Sequence, residues 1–134
     1  LNLKLKVHTY ESNKKIQPNT DIYLVNTYGK TKPFYRKIKN VFLGGSLINH
    51  GGQNPLEAVR YGCKILHGPN VDNFKEIYQF LKKNKISNKV MNHKDFSYNL
   101  KKFLLKKNDN KKIQKKLKII GQNILEKTYK ELIT

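Results

Sequence analysis

The stretch Asn40-Val41-Phe42-Leu43-Gly44-Gly45-Ser46-Leu47-Ile48-Asn49-His50-Gly51-Gly52-Gln53-Asn54-Pro55-Leu56-Glu57 reads as strand, glycine-rich loop and helix start. Val41 to Leu43 is a short apolar run that stops at a turn signal, as a strand buried in a parallel sheet does. Four glycines fall within the nine residues 44–52. A loop without Cβ atoms lets backbone N–H groups approach a ligand closely. Asn54 suits an N-cap, Pro55 the first helical position, and Glu57 the acidic member of a capping box. A helix start leaves N–H donors unpaired and favours a phosphate or a carboxylate. A flexible turn closed by a plain capping box accounts for these residues equally well. The stretch is neither a Walker loop nor a dinucleotide fingerprint: it has no Gly-Lys-Ser/Thr, and its glycines come as two pairs.

The flanking sequence alternates strands with helices. Leu3, Leu5 and Val7 alternate with Lys4, Lys6 and His8, which predicts a strand with that apolar face buried. Residues 11–20 are a polar loop. Ile22 to Val25 is apolar throughout, like a strand covered on both faces, and ends in the turn Asn26-Thr27-Tyr28-Gly29. Residues 33–39 form a short helix with Phe34, Tyr35 and Ile38 inward. A helix from Pro55 to Tyr61 stops at Gly62. Cys63 to Leu66 is the fourth strand and leads into His67-Gly68-Pro69. Asn73 and Glu76 form a capping box for a helix to about Asn84, with Phe74, Ile77, Tyr78 and Leu81 as its apolar stripe. Lys89-Val90-Met91 is a short fifth strand. The last third is helical. Phe96, Leu100, Phe103 and Leu104 make one stripe, and Ile113, Leu117, Ile120, Ile124, Tyr129 and Leu132 make a second. The expectation is an α/β fold, a Rossmann-like mostly parallel sheet with helices on both faces and a helical C-terminal segment. Ligands of such sheets bind beyond the strand C-terminal ends. The turns after Val25, Leu43 and Leu66 would then open onto one edge and form a single site.

At 134 residues the chain is expected to be one domain, residues 1–134. It begins at Leu1 rather than Met, which suggests a piece of a longer protein. No apolar run approaches the roughly 20 residues of a membrane-spanning helix, and no signal-peptide pattern is present. A single cysteine, Cys63, excludes an internal disulfide. The formal net charge is +19, from 28 Lys+Arg against 9 Asp+Glu, which favours polyanionic partners: a nucleotide, an anionic lipid surface or a nucleic acid. Only two of the 28 are arginines, Arg36 and Arg60, so bidentate readout of base edges is poorly served. No helix-turn-helix, zinc-finger or RNP motif is present, and aromatics do not interleave with the lysines from Lys101 to Lys130. A basic nucleic-acid-binding module is therefore the alternative reading. The lysine faces also suit an anionic membrane surface, or simply solvent.

Gly44-Gly45-Ser46-Leu47 followed by His50-Gly51-Gly52-Gln53-Asn54-Pro55-Leu56-Glu57 resembles the signature of the 3-deoxy-D-manno-octulosonic acid (Kdo) transferases of lipopolysaccharide synthesis. Thr27-Tyr28-Gly29, Phe34-Tyr35-Arg36, His67-Gly68-Pro69-Asn70 and Asn73-Phe74-Lys75-Glu76-Ile77 resemble that family too, in its order and spacing across residues 22–80. The resemblance implies the C-terminal, donor-binding half of a GT-B glycosyltransferase. Such an enzyme transfers Kdo with inversion from CMP-Kdo to a lipid A precursor at the cytoplasmic face of the bacterial inner membrane, without metal or other cofactor. Gly44, Gly45 and Ser46 would bring N–H and hydroxyl donors to the phosphate or sugar carboxylate. Gly51, Gly52, Gln53 and Asn54 would line the next turn. His50 would donate to the same anionic groups, and Glu57 would accept from the ribose hydroxyls. Thr27, Tyr28 and Gly29 would meet the nucleotide, and Pro69 and Asn70 would close the site. Arg36 is a further phosphate partner or a solvated residue. The general base belongs to the N-terminal domain in this family, so the chain alone would hold no catalytic residue and would be inactive. Asn26 and Lys30 stand where the family commonly has acidic residues, and Ala58-Val59-Arg60 departs from its usual Pro-Ala.

Overall fold

The computed structural model of the chain describes residues 3–106 and 109–133. Leu1, and Lys107 and Asn108 of the lysine-rich stretch, lie outside the described residues. The chain divides into two compact units, one ending at Phe34 and one starting at Tyr35.

In the first unit β1 (Val7–Thr9) pairs in parallel with β2 (Ile22–Leu24), Val7 beside Ile22 and Thr9 beside Leu24. The carboxylate of Asp21 accepts from Lys6 N at 2.8 Å and anchors that register. The face expected to be buried is the exposed one. Leu3, Leu5 and Val7 are exposed, whereas His8 is buried, its Nδ1 accepting from Gln17 N at 3.0 Å. Ile22 and Leu24 are exposed as well, so β2 is covered on one side only. A two-stranded ribbon has one packed face at most. Here rings fill it: Tyr23 meets His8 edge-on at 5.3 Å and Phe34 at 6.1 Å. The short helix α1 spans Thr31–Tyr35, earlier than the expected 33–39, and leaves Ile38 exposed in the turn beyond it.

In the second unit β3 (Asn40–Leu43), β4 (Lys64–His67) and β5 (Ser87–Lys89) pair in parallel in that order. The fifth strand therefore lies two residues earlier than its apolar signal. Val90 is fully buried and its N–H donates to His67 O, where the strand pairing ends. Alternation along β4 divides the core. Ile65 packs in one cluster with Ala58, Val59, Tyr78, Leu81 and the half-buried Ile113 and Leu117. Leu66 packs in the other with Val90, Phe103 and the half-buried Phe96 and Leu100. Helices α2 (Leu56–Arg60), α3 (Lys75–Lys83) and α5 (Asn110–Ile133) thus cover one face, and α4 (His93–Leu105) covers the other. The architecture is the parallel α/β arrangement with helices on both faces that the strand order implied.

The C-terminal stripes are shorter than their periodicity suggests. Leu104 is exposed, and along α5 Ile113, Leu117 and Ile120 are half-buried while Ile124, Tyr129 and Leu132 are exposed. Among the described residues no helix is long and apolar enough to cross a membrane.

Candidate functional site

Ser46 joins two turns at the C-terminal ends of neighbouring strands. Its hydroxyl donates to Leu43 O at 2.7 Å and accepts from Gly68 N at 2.8 Å. Its carbonyl accepts from Asn70 N at 2.9 Å and from Asn70 Nδ2 at 3.2 Å. Ser46 is fully buried. Gly68 is glycine because a Cβ there would collide with Ser46 O and approach Leu47 N to 2.6 Å. The turn after β3 and the turn after β4 are therefore one packed piece. The hydroxyl expected to face a ligand is turned inward in this structure.

The loop then folds back over that piece. Gly45 has φ +77°, and a Cβ on it would lie 2.9 Å from Gly51 O and 3.9 Å from both Gln53 Nε2 and His50 Cδ2. Gly45, His50, Gly51 and Gln53 thus share one small area, with His50, Gln53 and Asn54 exposed and Gly44 exposed beside them. Gly52 is buried, and a Cβ on it would meet Val71 Cγ1 at 2.7 Å. Gly52 N donates to Asn73 Oδ1 at 3.2 Å, and Asn73 Nδ2 donates back to Gly52 O at 2.9 Å. The hydroxyl of Tyr78 donates to Gln53 O at 2.8 Å.

Pro55 rather than Asn54 is the N-cap of α2, and Asn54, one residue farther out, accepts at Oδ1 from Leu56 N at 3.0 Å. The helix is five residues long, so its dipole is slight and local N–H groups carry any anion attraction. Glu57 sits half-buried in its first turn. Pro69 and Asn70 are half-buried in the turn after β4. The residues named from Gly44 to Glu57, with Pro69 and Asn70, thus belong to two joined turns at one sheet edge. Thr27, Tyr28 and Gly29 lie in the first unit, in the turn after β2. Tyr28 is wholly exposed, so it is no core residue there, and Gly29 has φ +75°. Arg36 places its guanidinium 5.7 Å from the Tyr61 ring centre.

Beneath the site the ionisable groups are held neutral. Burial pulls the His67 imidazole below its ordinary range against the opposing hydrogen bond to Gly68, and nearby Lys89 and Lys82 act with burial. Its Nδ1 lies 2.7 Å from Gly68 O, which can only accept, so Nδ1 carries the proton. The ring packs 4.3 Å from Tyr78, whose hydroxyl is pushed up to about 12 by burial. Among the described residues no three His, Cys, Asp or Glu side chains gather as metal ligands. An apolar groove of about 610 Å³ between α2, α3 and α5 contains none of the residues expected at the site.

Three residues that shape this edge carry other signals in the sequence. Asn73 reads as a helix cap and Tyr78 as a stripe position, while Gly68 stands in the stretch His67-Gly68-Pro69-Asn70. The Asn73 signal was present in the motif that begins with it. Its partner, 21 positions away, was not visible.

No protein-family model matches the chain. It is 30% identical over 101 residues to the 3-deoxy-D-manno-octulosonic acid transferase of Aquifex aeolicus, covering 75% of this chain and 29% of that protein. To the protein of the same name from Rickettsia typhi it is 31% identical over 106 residues, covering 79% and 22%. To that of Haemophilus influenzae it is 34% identical over 70 residues, covering 52% and 16%. The chain spans less than a third of the length of these curated relatives. In fold it is similar to the C-terminal CMP-Kdo binding domain of WaaA from Acinetobacter baumannii, with a TM-score of 0.72 and 22% identity, covering 82% of this chain and 57% of that one. By sequence, then, the chain is a relative of the 3-deoxy-D-manno-octulosonic acid transferases, matching part of their length, and its fold is that of the C-terminal domain just described.

Proposed function

We propose that the chain is the donor-binding part of a glycosyltransferase that moves Kdo from CMP-Kdo to a lipid A precursor. The observation that carries this is the Ser46 junction. It merges the turns after β3 and β4 into one rim at the C-terminal edge of a parallel sheet, in a chain similar to the Kdo transferases. Parallel α/β sheets receive their ligands at that edge. The backbone of Gly44, Gly45 and Gly51 and the exposed His50 side chain offer donors to the phosphate or sugar carboxylate. Glu57 offers two acceptor oxygens, which suits a pair of vicinal ribose hydroxyls. Ser46 and Gly52 serve by shape, since their donors are used within the protein. Gln53, Asn54, Pro69 and Asn70 border the same rim. The net charge of +19 draws an anionic donor in solution.

The whole protein is then a GT-B enzyme working with inversion at the cytoplasmic face of the inner membrane, its lysine faces turned to anionic lipid. Neither metal nor cofactor enters this reading. The general base stands in the N-terminal domain, and among the described residues no carboxylate pair or His/Asp pair on this rim substitutes for it. The 134-residue chain alone is expected to bind donor or CMP weakly and to show no transfer. Calorimetric titration with CMP, and separately with single-stranded DNA at several salt concentrations, tests the reading. Saturable CMP binding with little DNA binding is expected. Tight, steeply salt-dependent DNA binding without any CMP binding would favour the nucleic-acid module instead.

A further inference from the structure

We propose that Asn73 is a positioning residue for the donor-binding loop. Its carboxamide is bonded to both backbone groups of Gly52: the oxygen accepts from Gly52 N at 3.2 Å and the nitrogen donates to Gly52 O at 2.9 Å. The side chain thereby substitutes for a neighbouring strand and satisfies an irregular backbone that no ladder reaches. Asn73 lies in the 3-10 turn Asp72–Phe74 directly before α3, and α3 itself contributes a second tie. Its Tyr78 hydroxyl holds Gln53 O at 2.8 Å. Two consecutive loop residues are thus held from the 3-10 turn and the helix that follows it.

The position next to the clamp is the sensitive one. Gly51 has φ +87°, and a Cβ on it would lie 3.4 Å from Asn73 Nδ2. Gly51 O in turn lies against Gly45. Asn73 therefore sets where Gly51, Gly45 and the exposed His50 present their polar groups, without reaching the ligand area itself. Helix capping, the other use of an asparagine here, is absent: α3 has no side-chain hydrogen bond at its N-cap, Phe74. The inference rests on the donor-binding reading for its ligand but not for its geometry.

The experiment uses the whole chain, its Asn73→Ala and Asn73→Asp variants, and CMP as the probe. Binding and amide exchange are followed by residue-resolved NMR well below the unfolding temperature. In the unchanged protein the Gly52 amide is expected to exchange slowly, and in both variants faster, with resonances of Gly51 and Gly52 displaced. CMP affinity of the folded variants is expected to fall by about tenfold or more, a loss that lower stability alone would not produce. Asn73→Asp keeps the acceptor and loses the donor, so it should retain part of the Gly52 protection that Asn73→Ala loses. Unaltered CMP affinity in a folded variant would overturn the positioning role. So would Gly52 exchange at the unprotected rate in the unchanged protein, a result that needs no variant to fold. If the unchanged protein binds no CMP, the donor-binding reading fails, and the exchange data still decide the clamp.

Discussion

Ser46 is the residue on which the rim depends. Its hydroxyl is buried, donating to one strand end and accepting from the next turn. Ser46→Ala leaves Leu43 O and Gly68 N without that partner, at about 1–3 kcal/mol for buried groups. A lower urea midpoint with the slope unchanged is expected. On the donor-binding reading, Glu57→Gln should weaken CMP by about tenfold, the value of one charged hydrogen bond. Equal CMP affinity would remove the ribose role and leave a helix-start residue. His67 supplies a pH dependence. Its folded imidazole resists protonation because it is buried, while the unfolded one takes a proton near pH 6.5. The stabilisation is therefore complete above that range and is lost as the pH falls through the lower folded value. Denaturant midpoints from pH 7.5 down to pH 5 should drop more for the natural protein than for His67→Asn. Cys63 is fully buried, with its thiol pushed up to about 11, so native alkylation should be slow and should accelerate only on unfolding.

At the scale of elements, β4 is the central strand and its two alternating residues test the two-faced core. Ile65→Ala and Leu66→Ala should each cost about 2–5 kcal/mol, since both side chains are fully buried. The first should loosen the contacts of α2, α3 and α5, and the second those of α4, distinguishable by amide exchange in each helix. Most elements were legible as apolar runs and turn signals, because period and punctuation are local properties. What those signals could not tell is which side finds a partner. The alternation at Leu3, Leu5 and Val7 has the right period for a strand, yet in the structure the buried member is His8. Ser87–Lys89 pairs as a strand without an apolar run, because β4 offers its free edge there. Asn73 has the look of a helix cap, and a glycine distant in sequence takes its amide instead. Local chemistry named the hydrogen-bonding capacity of each residue, and tertiary placement chose the partner.

For the whole molecule, the parallel order of β3, β4 and β5 and the joining of two turns at one end were implied by the alternation of strands and helices. The third expected turn, after β2, belongs to the first unit and is described there alone. Charge is a separate property. The surplus of lysine should raise the association rate of any anion and make that rate sensitive to salt, without naming the anion. The proposed donor can be tested at the rim directly. The decisive measurement is a map of amide shifts as CMP is added to the chain. Shifts concentrated in Gly44–Glu57 and Pro69–Asn70, saturating together with one affinity, are the expected result. A map that leaves Gly44–Glu57 unmoved while the lysine faces of α4 and α5 respond would contradict a nucleotide-sugar site at the strand ends.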